Sequence, residues 1–218
     1  MHAYTYAQRV ADTEFYASTG TQINHFYMGL YILRQKEAVL MTITIDDAGV
    51  GDLLFGVIIG GFREPEEFRY EVLDVKYFRS QRFRRKEYLK QASRVVFQLL
   101  SRLRLKAEEP IHICRGYIFD EAVKDLRRRY GDDRIRRVKV TGEPQRLTEI
   151  AYLDEIRNLG YEPLRKRDEN RAKSFFHMMN WLKKNPDKLK YAKTGWPRLS
   201  RYRLFRPYHQ ARLGKDRK

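Results

Sequence analysis

One cysteine in 218 residues, Cys114, rules out an internal disulfide, and no CxxC or Cys/His spacing suggests zinc. No apolar run comes near the ~20 uncharged residues of a membrane-spanning helix, and mean hydropathy is −0.70. The opening MHAYTYAQRV lacks the charged start and apolar stretch of a secretory signal. A reducing, cytoplasmic setting is therefore expected. There is no P-loop motif, which removes ATP use by that route. His25, His177 and His209 show no metal-ligand spacing, and repeats and low-complexity segments are missing. Material for a core is ample: 42% of residues are hydrophobic and 13% aromatic.

What the chain has in excess is positive charge. Lys and Arg number 45 against 28 Asp and Glu, a net +17. Leu164–Lys218 holds 18 basic and 4 acidic residues, so +14 of the excess lies in the last quarter. A basic arm behind a nearly neutral body suits a polyanion, nucleic acid above all. Its charges and aromatics interleave without a clean amphipathic face, which argues against a membrane surface. Lys183, Lys184, Lys190, Arg201, Arg203 and Arg206 are the expected phosphate contacts. Trp196 is the expected base-stacking residue, alongside Tyr191, Tyr202, Phe205 and Tyr208.

Residues 1–34 are aromatic-rich, and Tyr4–Ser18 and Gln22–Leu33 each fit a short helix or a strand. Ala38–Ile45 reads as a buried strand that ends at Asp46-Asp47. Leu53–Phe62 and Phe68–Val75 read as two more, and short connections make the three an antiparallel meander. A long helix is predicted over Arg84–Lys106, with Leu89, Ala92, Val96, Leu99 and Leu103 as its apolar stripe. Arg85, Lys86 and Lys90 lie on the opposite, basic face and are expected to touch backbone phosphates. Then come a strand at Ile111–Ile118, a helix Glu121–Tyr130 capped by Asp120, a strand at Ile135–Val140 and a helix Arg146–Leu159. Pro163 marks a junction, after which Arg165–Lys184 suggests one basic helix. The organisation expected is an N-terminal segment 1–34, a domain 35–162 and a basic extension 163–218.

The segment Asp46-Asp47-Ala48-Gly49-Val50-Gly51-Asp52 is where chemistry is expected. Adjacent carboxylates repel, and the repulsion raises one pKa. A hard divalent cation such as Mg²⁺ or Mn²⁺ relieves it. Gly49 and Gly51 let backbone amides approach a phosphate. Asp and Gly are equally ordinary in a hairpin turn, so a plain turn is also open. Gly131-Asp132-Asp133 reads as turn chemistry, and Cys114 as a structural thiol.

Ile45–Gly51 followed by LLFGVIIGGF resembles the opening of type 2 ribonucleases H, whose first strand ends in Asp-Glu-Ala-Gly-Arg-Gly. The resemblance runs loosely over residues 38 to 162, through Val75–Ser80, Pro110–Gly116 and Val140–Glu143. It implies an α/β fold, a ribonuclease H-like five-stranded mixed sheet flanked by helices, here with a basic C-terminal extension. Asp46 carries over directly, and Asp47 stands where the family has Glu. Val50 replaces the loop arginine, Cys114 or Arg115 the fourth-strand acid, and Gly142 the last acid, with Glu143 beside it. Asp74 and Asp120 are candidates by strand-end position.

Two expectations of different class follow. The first is a divalent-metal-dependent nuclease acting on RNA or RNA-containing nucleic acid. Asp46 and Asp47 would hold Mg²⁺ or Mn²⁺, and Glu143 with Asp120 or Asp74 would complete the catalytic set. The second is a non-catalytic nucleic-acid-binding protein on the same fold. Either partner set is RNA, a DNA–RNA hybrid or a single strand; the sequence is silent on oligomeric state.

Overall fold

The computed structural model describes residues 41–165 and 170–210. The expectations for Tyr4–Ser18, Gln22–Leu33 and the start of the first strand lie outside the described residues, as do 166–169 and 211–218. The elements are β1 (Ile43–Ala48), β2 (Val57–Arg63), β3 (Glu67–Leu73), α1 (Ser80–Arg84), α2 (Glu87–Arg102) and β4 (Ile111–Cys114). They continue with α3 (Asp120–Tyr130), β5 (Ile135–Val138), α4 (Glu143–Asn158), α5 (Arg171–Lys184) and α6 (Arg206–Gln210), with short 3-10 turns between.

The five strands form one mixed sheet in the order β3-β2-β1-β4-β5. β1 and β2 pair antiparallel, as do β2 and β3, while β4 is parallel to both β1 and β5. Strand alternation then distributes the core. Ile43, Ile45, Val57 and Ile59 face α2 and α3, where Ala92, Val96, Leu99, Leu103, Ala122 and Leu126 close the first core. Ala48 and Ile58 face the other way, toward Ala151, Tyr152 and Ile156 of α4. Gly60 permits this contact, because a Cβ there would run into Thr148. The α/β sheet with helices on both faces is the architecture that the resemblance implies.

Three sequence expectations are corrected. β1 does not end at the acids but continues through Asp46, Asp47 and Ala48, whose backbones pair with Gly60, Ile59 and Ile58 of β2. The helix predicted over Arg84–Lys106 is the shorter α2, Glu87–Arg102, separated from α1, which ends at Arg84, where Lys86 adopts a left-handed conformation (φ 55°). The break lets Phe83 and Tyr88 stack with ring centroids 5.1 Å apart. Asp120 is the first residue of α3, not its cap, which is Phe119.

The segment after Pro163 adds to the second core. Met178, Met179 and Leu182 of α5 are buried there, with Ala192, Leu199 and Phe205. Ala192 bridges Leu54, and the Lys193 amide donates to the Leu53 carbonyl at 2.9 Å. Among the described residues, no helix is long and apolar enough to cross a membrane.

Candidate metal centre

β1 is the middle strand of the sheet, with a strand hydrogen-bonded along each edge. Asp46 lies one residue past the last β1–β4 pair, Ile45 with Ile113, and is only 6% exposed. Cys114 ends β4 beside it. Neighbours on a strand point to opposite faces, yet one oxygen each of Asp46 and Asp47 and the Cys114 sulfur lie within 4.8 Å of one another. Among the described residues this is the cluster with metal-ligand geometry.

Electrostatics mark the same three groups. Burial raises the Asp46 carboxyl, partly offset by hydrogen bonds from the Cys114 thiol and the Asp47 amide. Asp47 is pushed up to about 7 by burial first, then by the charges of Asp46 and Glu149, while Lys193 pulls it down. The Cys114 thiol rises to about 11, chiefly through burial, and so stays neutral near pH ~7. Both carboxyls are therefore raised by the same burial, Asp47 the more strongly.

The loop after β1 is held in place from two sides. Gly49 has φ +87°, and a Cβ on it would collide with the ring of Tyr152. Tyr152 also donates its hydroxyl to the Leu54 carbonyl at 3.1 Å. The Lys193 ammonium donates to the Gly49 carbonyl. Gly51 is exposed, and a Cβ there would meet nothing. Tyr117, half exposed, stands edge-on to Tyr88 at 6.3 Å, and its phenol is raised by burial first, then by Tyr88 and Asp47.

Glu143 and Asp120 are not brought to the cluster. Glu143 is exposed and tied to Arg146, whose Nε donates to it at 2.8 Å. It borders a cavity of about 640 Å³ shared with Thr44, Phe62, His112 and Val140. Asp120 pairs with Arg137 at 2.7 Å. Asp74 caps the turn at Val75–Phe78, accepting from the Lys76 amide at 2.7 Å. Each of these acids has a local cation or amide that already satisfies it.

Two residues near the cluster were missed from sequence. Glu149 carried a usable signal: it is an acid on the α4 stripe that includes Tyr152 and Ile156, three and seven residues on. Lys193 carried none, being a lysine in a lysine-rich stretch. The expected phosphate contacts Arg85, Lys86, Lys90, Lys183, Lys184, Lys190, Arg201, Arg203 and Arg206 are all exposed. Trp196 is half-buried against the second core, and Phe205 is wholly inside it, so Phe205 is unavailable for stacking on a base.

No protein-family model matches the sequence, and no curated protein matches it. Among solved structures, the crystal structure of Bst-RNase HIII in complex with Mn²⁺ is similar. The identity is 12% and the TM-score 0.48, over 97% of this chain and 81% of that one.

Proposed function

We propose that the protein is a divalent-metal-dependent nuclease acting on RNA or RNA-containing nucleic acid in the cytoplasm. The observation that carries this reading is the Asp46–Asp47 pair, held side by side in the middle of a sheet where both carboxyls are raised. Burying two like charges together is costly unless a cation compensates them. The donor set fits one hard ion: two carboxylate oxygens close together, with the exposed Gly51 in the loop that follows them. Asp46 and Asp47 would hold Mg²⁺ or Mn²⁺, with Glu149 as a further acid in its field. Such an ion supplies Lewis acidity toward a phosphoryl oxygen and a lowered pKa for water.

The chain's own residues would do the rest. The exposed Arg85, Lys86, Lys90, Lys183, Lys184, Lys190, Arg201, Arg203 and Arg206 neutralise backbone phosphates without reading sequence. Tyr117 and the exposed edge of Trp196 offer aromatic surface to unpaired bases.

The second reading, a nucleic-acid-binding protein without catalysis, is favoured by one observation. The third ligand position is a neutral thiol, Cys114, and two-metal hydrolysis asks for about three or four acids. Incubating end-labelled single-stranded RNA, RNA duplex and DNA–RNA hybrid with the protein and Mn²⁺ separates the two. Cleavage that disappears in Asp46→Asn supports the nuclease. Tight binding with every substrate left intact supports the second reading instead.

A further inference from the structure

The two edges of the sheet are built differently. β5 is four residues long, and two of the four are arginines, Arg136 and Arg137. Short length and charge are the usual protection of an edge against pairing with another chain. β3 lacks it. It runs for seven residues without lysine, proline or bulge, in unbroken register with β2 from Glu67 with Arg63 to Leu73 with Val57. Its outer edge pairs with no strand among the described residues, and Tyr70 and Val72 on it are each 40% exposed.

The side chains of β3 alternate between the two faces of the sheet. On the α4 face, Phe68 and Tyr70 stack with ring centroids 6.2 Å apart, and the Tyr70 hydroxyl donates to Glu155 of α4 at 3.1 Å. On the α2 face, Glu71 pairs with Arg102 of α2. Arg69, on that same face, is exposed and has no ion-pair partner among the described residues.

We propose that β3 pairs antiparallel with β3 of a second copy of this chain, about a two-fold axis at Tyr70, joining two five-stranded sheets into one. Directly opposed residues of an antiparallel pair share a face. An axis at Tyr70 therefore sets Tyr70 opposite Tyr70, Phe68 opposite Val72 and Arg69 opposite Glu71, the last two contacts each made twice. The charge order selects this register. An axis at Arg69 would oppose Arg69 to Arg69 and Glu67 to Glu71, and one at Glu71 would oppose Glu71 to Glu71. Like charges directly opposed are destabilising. In the chosen register the unpartnered arginine meets an acid, and the exposed Tyr70 and Val72 are covered on the other face. The occupant is a second copy because the strand complements itself. This pairing does not depend on the nuclease reading.

The test uses the full chain, with mass read by sedimentation equilibrium. Wild type should give about twice the 26.3 kDa of one chain. Arg69→Glu and Glu71→Arg should each weaken self-association about tenfold or more. Mixing the two variants should restore dimers, because each supplies the charge that the other lacks. Tyr70→Cys tests the register: diamide should oxidise it to a disulfide-linked dimer. Arg69→Cys, offset by two residues from its own copy, should stay uncross-linked, as should wild type with Cys114 alone. A monomeric wild type overturns the proposal. So does a dimer that neither charge reversal weakens, or cross-linking of Arg69→Cys in preference to Tyr70→Cys. If a charge variant fails to fold by circular dichroism, the Tyr70→Cys cross-link decides: its formation supports the pairing and its absence overturns it.

Discussion

The Cys114 sulfur lies within 4.8 Å of a carboxylate oxygen of Asp46, at the point where β4 and β1 part. A carboxylate in place of the thiol would meet Asp46 and Asp47 at ligand distance. Cys114→Asp should therefore tighten Mn²⁺ binding by about tenfold in calorimetric titration and lower the melting temperature of the metal-free chain. Unchanged affinity would mean that position 114 does not face the ion. The native thiol, raised to about 11, should also react slowly with iodoacetamide at neutral pH, read by mass spectrometry.

The two loop glycines differ in what they permit. Gly49 has positive φ and no room for a Cβ against Tyr152, whereas Gly51 has open space around it. Gly49→Ala should cost about 2 kcal/mol or more in urea denaturation, from backbone strain and displacement of the ring. Gly51→Ala should stay close to wild type. Equal losses at the two positions would contradict the packing described for this loop.

Stability should depend on pH through Asp47. Its carboxyl ionises near about 7 in the fold against 3.8 ordinarily. Between those values the folded chain keeps a proton that the unfolded chain has released. Metal-free stability should accordingly fall as pH rises from ~4 to ~7. Melting curves across that range should show a steeper decline for wild type than for Asp47→Asn. Parallel declines would mean that Asp47 ionises as an ordinary surface acid.

Nucleic-acid affinity should fall with salt in proportion to the phosphates neutralised. Arg201, Arg203 and Arg206 are exposed, close in sequence, and on the segment that also supplies Lys193. Replacing the three with Ala should weaken binding to unrelated RNA sequences alike. It should also reduce the slope of log affinity against log salt by about 2 to 3. An unchanged slope would move the interface elsewhere.

Much of the sheet was legible because its strands are β-branched apolar runs separated by polar turns, and alternating burial follows directly in Ile43 and Ile45. The stripe of α2 was legible for the same kind of reason, since Ala92, Val96, Leu99 and Leu103 recur at helical spacing. The break before α2 was not, because a lysine in left-handed conformation leaves no mark in the sequence. The adjacent acids Asp46 and Asp47 stood out after an apolar run, but their place inside β1 depends on Gly60 and Ile59 across the ladder. Glu149 and Lys193 reach the cluster only through packing of α4 and of the segment after α5, 100 or more residues from β1. Long-range packing of that kind has no local periodicity to read.

The claim on which the rest depends is that Asp46 and Asp47 together hold a divalent ion. Electron paramagnetic resonance of Mn²⁺ titrated into the full chain tests it directly, comparing wild type with the Asp46→Asn, Asp47→Asn double variant. One bound ion in wild type and none in the folded double variant is the predicted result. Equal binding by both proteins, or no binding by wild type, would contradict it.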